Sequence, residues 1–279
     1  MLTRRDSIKL FAGLLTGSLF QMVPTVQAAP VLLWREEAAR AAQPVVDAIL
    51  SHPLTTGLID GTLPTEAFLF YQADNVRYLQ AYAKTLNRLA ERLPDEVDRE
   101  QMRRWAEDTA AAEGWARDTY REFSGREIDA MQPMSPAAEL YAGWEARAVA
   151  FESLPVAVAA ILPCFWVYGE IGRSIASRVR REQNPYAEWL SAYGDPAYAD
   201  TVDRAMALGD TLARDLNEEA RSAMTRAFTQ SVRMEWMMWN AAYHREGWPI
   251  RRRNAFVLQA CWQREYAAAG FFVPNEGRA

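Results

Sequence analysis

Two residues combine a reactive side chain with surroundings that would tune it. Cys164 lies in Ile161-Leu162-Pro163-Cys164-Phe165-Trp166-Val167-Tyr168-Gly169-Glu170, an otherwise apolar stretch of helical period. Pro163 removes one backbone hydrogen bond and predicts a kink beside the sulfur. Tyr168, four residues on, shares a helix face with the thiol. Glu235 lies in Arg233-Met234-Glu235-Trp236-Met237-Met238-Trp239, with apolar neighbours that would desolvate it. A desolvated carboxyl group titrates nearer neutrality and suits proton exchange. Each has a plainer alternative: a buried Cys acting as a small hydrophobe, or a Glu pinned by hydrogen bonds or by Arg233.

Three further segments set polar groups among apolar ones. Tyr71, Asn75, Tyr78 and Tyr82 follow one face of a helix, and three phenols with an amide make poor core unless each finds a partner. Tyr141 opens Tyr141-Ala142-Gly143-Trp144, and Tyr193 closes Glu188-Trp189-Leu190-Ser191-Ala192-Tyr193. Taken together these residues describe an aromatic-walled pocket with one nucleophile and one acid/base.

The elements that must position them read as helices throughout. Ser135-Pro136, Asn184-Pro185 and Asp195-Pro196 each set a capping side chain before a proline, a helix-start signal. Helices are expected over 31–51, 65–92, 96–123, 136–151, 154–181, 185–191, 196–214, 217–244 and 251–269. No segment alternates as a strand would. The prediction is one all-α helical bundle.

The 279-residue chain has two histidines, two cysteines and a net charge of −5. Two His and two distant Cys supply no metal-binding set, and the acidic balance argues against a nucleic-acid partner. Residues 1–28 read as an export signal. Thr3-Arg4-Arg5-Asp6-Ser7-Ile8-Lys9 resembles a twin-arginine motif, an apolar run follows, and Val26-Gln27-Ala28 supplies small residues at cleavage spacing. The expectation is a soluble periplasmic protein, with no later segment long and apolar enough to be transmembrane.

With these residues in view, the sequence resembles the TenA/thiaminase II family. The motifs are His52-Pro53, Asp60-Gly61-Thr62-Leu63-Pro64, the Phe70 to Lys84 helix, Leu162-Pro163-Cys164-Phe165-Trp166-Val167-Tyr168, Asn184-Pro185-Tyr186, and Glu235 through Tyr243 to Trp248. The resemblance implies a haem-oxygenase-like bundle over 30–248, a homotetramer, and cofactor-free, metal-free hydrolysis of thiamin or its aminopyrimidine breakdown products to hydroxymethyl pyrimidine. It implies Cys164 as nucleophile, Glu235 as proton shuttle, and Tyr78, Tyr141, Tyr168 and Tyr193 as residues that clamp the pyrimidine or bond the thiol. It also marks a departure. The family aspartate that reads the ring's amino edge falls on Asn75, with Asp74 about 100° away around the helix. Asn can still pair with an aminopyrimidine edge, as it does with adenine, but without charge. Two alternatives stay open: an aminopyrimidine-binding protein without turnover or a hydrolase of altered substrate, and a cofactor-free oxidase. Residues 249–279 read as a helical extension beyond the resemblance, in which Cys261 is a possible disulfide partner for Cys164.

Overall fold

The computed structural model describes residues 33–129, 131–175, 178 and 183–249. The export signal, the extension from 250 onward and Cys261 lie outside the described residues. Ten α-helices follow in order: α1 Trp34–Leu50, α2 Pro53–Asp60, α3 Thr65–Ala90, α4 Glu96–Ser124, α5 Pro136–Phe151, α6 Leu154–Ile161, α7 Pro163–Ile175, α8 Ala187–Ser191, α9 Pro196–Ala213 and α10 Glu218–His244. A 3-10 turn, Ala192–Gly194, precedes α9, and the described residues contain no strand.

Local chemistry sets the helix ends. Asp95 accepts from the Val97 and Asp98 amides at the start of α4, Ser135 from Ala138 at α5, Asp195 from Ala197 at α9 and Asn217 from Ala220 at α10. The α2 helix was not expected from sequence. His52 accepts from the Leu54 amide at its start, and Gly61 takes φ +74 at its end, a left-handed position that favours glycine. Asn184 does not cap a helix starting at Pro185. Its Oδ1 accepts from Tyr186 N, while its Nδ2 donates to the Leu58 and Ile59 carbonyls. It therefore ties the chain ahead of α8 to the end of α2.

Packing follows the apolar faces. The α3–α4 hairpin forms one side, and α10 runs against α1, α5, α6 and α3. The stretch expected as one helix over 154–181 is two, because Pro163 cannot donate to the preceding turn. Near the break, the Ile161 carbonyl accepts from the Tyr82 hydroxyl at 2.8 Å and the Ala160 carbonyl from Ser231 Oγ at 2.6 Å. Side chains from α3 and α10 thus pin the kink that aims Cys164. One sequence expectation needs correction here. Leu154–Ser174 is long and apolar enough to cross a membrane, with mean hydropathy 1.7, yet it is mostly buried inside the bundle, as a core helix should be.

Candidate active site

Cys164, at the second position of α7, opens on a cavity of about 430 Å³. Helix α3 contributes Asn75, Tyr78 and Tyr82 to its lining, α7 adds Phe165 and Tyr168, and the 3-10 turn adds Tyr193. Of the seven residues singled out from sequence as candidate site positions, five line this cavity: Asn75, Tyr78, Cys164, Tyr168 and Tyr193. Tyr141 and Glu235 stand one layer behind. Tyr141 stacks on Tyr78, ring centroids 4.9 Å apart, and donates its hydroxyl to Glu235 Oε1 at 3.0 Å. Glu235 itself is buried.

The i+4 spacing put the Tyr168 hydroxyl beside the thiol. Its ring lines the cavity, but its hydroxyl pairs with that of Tyr71 at 2.6 Å. The hydroxyls that favour ionisation of the sulfur are those of Tyr78 and Tyr82, which line the cavity with it. Asp74 and Asn75 separate as the helical angle requires. Asp74 turns away and accepts from the Ser135 amide at 2.9 Å, joining α3 to the start of α5. Asn75 faces the cavity.

The electrostatics follow from burial. Burial pushes the Cys164 thiol well up, the carboxylates of Glu235 and Glu145 add to this, and the two tyrosine hydroxyls pull the other way. Burial pushes Glu235 up to about 8, against the hydrogen bond from Tyr141. Among the described residues the cavity lining carries two carboxylates, Asp108 and Asp195, and no Lys, Arg or His, which suits a neutral or cationic ligand over an anionic one. Among the described residues no three His, Cys, Asp or Glu converge as metal ligands.

Sequence reasoning missed the wall built by α4, including Trp105, Asp108 and Trp115, and also Tyr198 of α9. It missed Glu145, which accepts from the Tyr78 hydroxyl at 3.0 Å. The signal was there: Glu145 is four residues after Tyr141 and shares its face.

Gly172 fixes one wall. A Cβ there would stand 1.9 Å from the Tyr193 carbonyl oxygen, so only glycine lets the 3-10 turn approach α7. Gly172→Ala is expected to push Tyr193 off Tyr168, now 5.0 Å away between ring centroids. Calorimetry should find melting lowered by about 5 °C and ligand affinity reduced.

A helical bundle that closes an aromatic cavity over a free thiol and a buried acid defines a small-molecule site of enzyme type. Comparison with known proteins gives the family. Residues 39–245 match the TENA/THI-4/PQQC family, and the chain belongs to it. It is 31% identical over 216 residues to the aminopyrimidine aminohydrolase of Bacillus subtilis, covering 76% of this chain and 91% of that protein. It is 26% identical to the aminopyrimidine aminohydrolase of Halalkalibacterium halodurans, covering 74% and 94%. Among solved structures, a TenA homologue from P. horikoshii OT3 superposes with TM-score 0.69 at 21% identity, covering 76% of this chain and 99% of that one. A domain with a heme oxygenase-like fold from Shewanella denitrificans superposes with TM-score 0.62 at 14% identity, covering 78% and 94%. The fold is a haem-oxygenase-like bundle.

Proposed function

We propose that the protein is an aminopyrimidine hydrolase of thiaminase II type, acting on thiamin or its aminopyrimidine breakdown products to give hydroxymethyl pyrimidine. The observation that carries this reading is the cavity in which the Cys164 thiol, the Asn75 amide and the Tyr78 ring meet, with the relatives' activity in support. An electron-poor pyrimidine ring accepts the Cys164 sulfur at a ring carbon as the thiol gives its proton to water, and the displaced π pair moves to a ring nitrogen. Glu235, protonated below about pH 8, supplies the proton there. The adduct's electrons expel the leaving group from the exocyclic methylene. Water adds to that carbon, giving one proton to a base, and loss of the thiolate restores the ring. Tyr78 and Tyr193 supply flat faces for the ring, and Asn75 offers one donor and one acceptor to its amino edge. Tyr141 holds Glu235 and stacks on Tyr78.

Export through a twin-arginine signal to the periplasm, and a homotetramer, are parts of the same proposal. They rest on the N-terminal motif and the family resemblance.

Binding without turnover is the second reading, favoured by one observation: an uncharged Asn75 faces the cavity while Asp74 is occupied by Ser135. The test is incubation with thiamin and with its aminomethyl pyrimidine, followed by mass spectrometry for hydroxymethyl pyrimidine. Product supports the hydrolase; a bound pyrimidine left intact supports the binder. On the hydrolase reading, Asn75→Asp restores a charged partner for the protonated ring, and kcat/KM for the aminomethyl pyrimidine should rise about tenfold.

A further inference from the structure

The cavity has two ends of different character. Around Cys164 it is walled by buried residues, among them Asn75, Tyr78 and Tyr168. The mouth lies between α4 on one side and the 3-10 turn with the start of α9 on the other, where Asp108, Trp115 and Asp195 are exposed. Among the described residues, those two aspartates are the only charged side chains in the lining. A cavity of about 430 Å³ is larger than one pyrimidine ring needs, since pockets of that size hold drug-sized ligands. With the pyrimidine seated at the buried end, whatever its exocyclic methylene carries extends toward the mouth.

One helix face supplies most of that mouth. Trp105, Asp108, Ala112 and Trp115 recur along α4 at the spacing of a single face, and all four line the cavity. Trp105 is buried against Phe165, ring centroids 5.4 Å apart. Trp115 is 37% exposed, a large apolar ring presented at the opening rather than packed beneath it. Asp108 stands apart from the charges of its own helix: four arginines of α4 pair with acids of the same helix, and Asp108 is not among those acids. Asp195 uses one carboxylate oxygen to cap α9, accepting from the Ala197 amide at 2.8 Å, and its other oxygen stays free to meet a ligand. An exposed indole and two carboxylates without ion pairs suit a flat cation, which stacks on the ring while the carboxylates answer its charge.

We propose that Trp115, Asp108 and Asp195 form a subsite for a flat, positively charged leaving group, and that this subsite favours thiamin over the aminomethyl pyrimidine. The proposal rests on the hydrolase reading, since a leaving group implies turnover. Thiamin carries a cationic thiazolium ring on its methylene. The aminomethyl pyrimidine carries a single nitrogen there, one bond from the reacting carbon, and offers the indole nothing to stack on. Charge recognition thereby falls on the part of the substrate that leaves, while the pyrimidine meets the uncharged Asn75. When the carbon–nitrogen bond breaks, its electron pair returns to the ring nitrogen and the thiazole departs neutral. The carboxylates therefore hold the substrate and release the product, so their effect belongs in KM rather than kcat.

Binding can be read apart from turnover. The ligands are thiamin, an analogue with a neutral phenyl ring in place of the thiazolium, and hydroxymethyl pyrimidine, each titrated calorimetrically into the Cys164→Ser protein at low salt. Thiamin should bind about tenfold more tightly than the neutral analogue, and the margin should shrink as salt is added. Asp108→Asn combined with Asp195→Asn should bring the two ligands within about twofold of each other, with hydroxymethyl pyrimidine bound as before. Asparagine keeps the cap on α9, so the fold survives the change. Trp115→Ala should weaken both two-ring ligands about fivefold, and Trp115→Phe should restore most of the loss. With Cys164 in place, the double aspartate variant should raise KM for thiamin about tenfold, with kcat little changed and the aminomethyl pyrimidine unaffected. Equal binding of thiamin and the neutral analogue, or a margin that survives loss of both carboxylates, overturns the proposal. So does an affinity for hydroxymethyl pyrimidine that falls together with that for thiamin. A protein that shows the carboxylate-dependent margin but hydrolyses neither pyrimidine sinks the hydrolase reading and leaves the cation subsite standing. An active hydrolase blind to the charge on the second ring does the reverse.

Discussion

Cys164→Ser should lose hydrolysis of the aminomethyl pyrimidine by about 1,000-fold or more in kcat, while the protein folds and binds as before. A serine hydroxyl holds its proton far more tightly than a thiol, and in this tyrosine-lined cavity no Lys, Arg or His among the described residues lines the wall to help remove it. The Tyr78 and Tyr82 hydroxyls that offset burial of the sulfur are too weak to do the same for an alkoxide. The substitution exchanges one atom at a half-buried position, so melting should move by no more than about 2 °C. Calorimetric titration with hydroxymethyl pyrimidine should give an affinity close to that of wild type, because the ring contacts lie on Asn75, Tyr78 and Tyr193. Undiminished turnover in the serine variant would remove the nucleophile from the account.

Glu235→Gln should have the second largest effect, in two measurements of opposite sign. Turnover falls by about 100-fold or more, because the amide accepts the Tyr141 hydroxyl as before but has no proton to deliver to the ring. Wild-type activity should decline as pH rises through about 8, where burial places the Glu235 titration, and this limb should vanish from the variant. Stability moves the other way. The folded protein holds the Glu235 proton up to about 8, against an ordinary value of 4.5. Between those pH values the native state therefore binds more protons than the unfolded chain, and stability falls as pH rises. Glutamine carries no such penalty. The variant should melt above wild type at pH 9, with the difference shrinking toward pH 5. Thermal scans at the two pH values check this, and a variant less stable than wild type at both would contradict a buried, proton-holding Glu235.

The helices were legible because their signals are local. Caps at Ser135 and Asp195 and the apolar period of α3, α4 and α10 act within a turn or two of the chain. What escaped depended on partners distant in sequence. The short α2 helix is stabilised by the Asn184 side chain, more than a hundred residues away. The kink at Pro163 was legible, but the Tyr82 and Ser231 side chains that pin it come from α3 and α10, which no reading of residues 154–175 alone could supply. Within the site, Cys164, Asn75, Tyr78, Tyr168 and Tyr193 could be singled out because aromatic and polar residues interrupt apolar runs. Their pairing could not: the Tyr168 hydroxyl goes to Tyr71, and the sulfur's neighbours come from α3. Glu145 carried one signal, its place four residues after Tyr141 on the same face, but a buried carboxylate beside Arg147 otherwise looks like a surface one until its neighbours are known. Trp105 and Asp108 were hidden in the same way on the charged helix α4.

The most direct test of the hydrolase is turnover of thiamin and of its aminomethyl pyrimidine in water enriched with heavy oxygen, with mass spectrometry of the pyrimidine product. The account predicts hydroxymethyl pyrimidine carrying the heavy oxygen on its methylene carbon, formed by wild type and absent with Cys164→Ser. A wild-type protein that binds both pyrimidines and returns them unchanged would contradict it, and would make the cavity a binding site in which Cys164 does no chemistry.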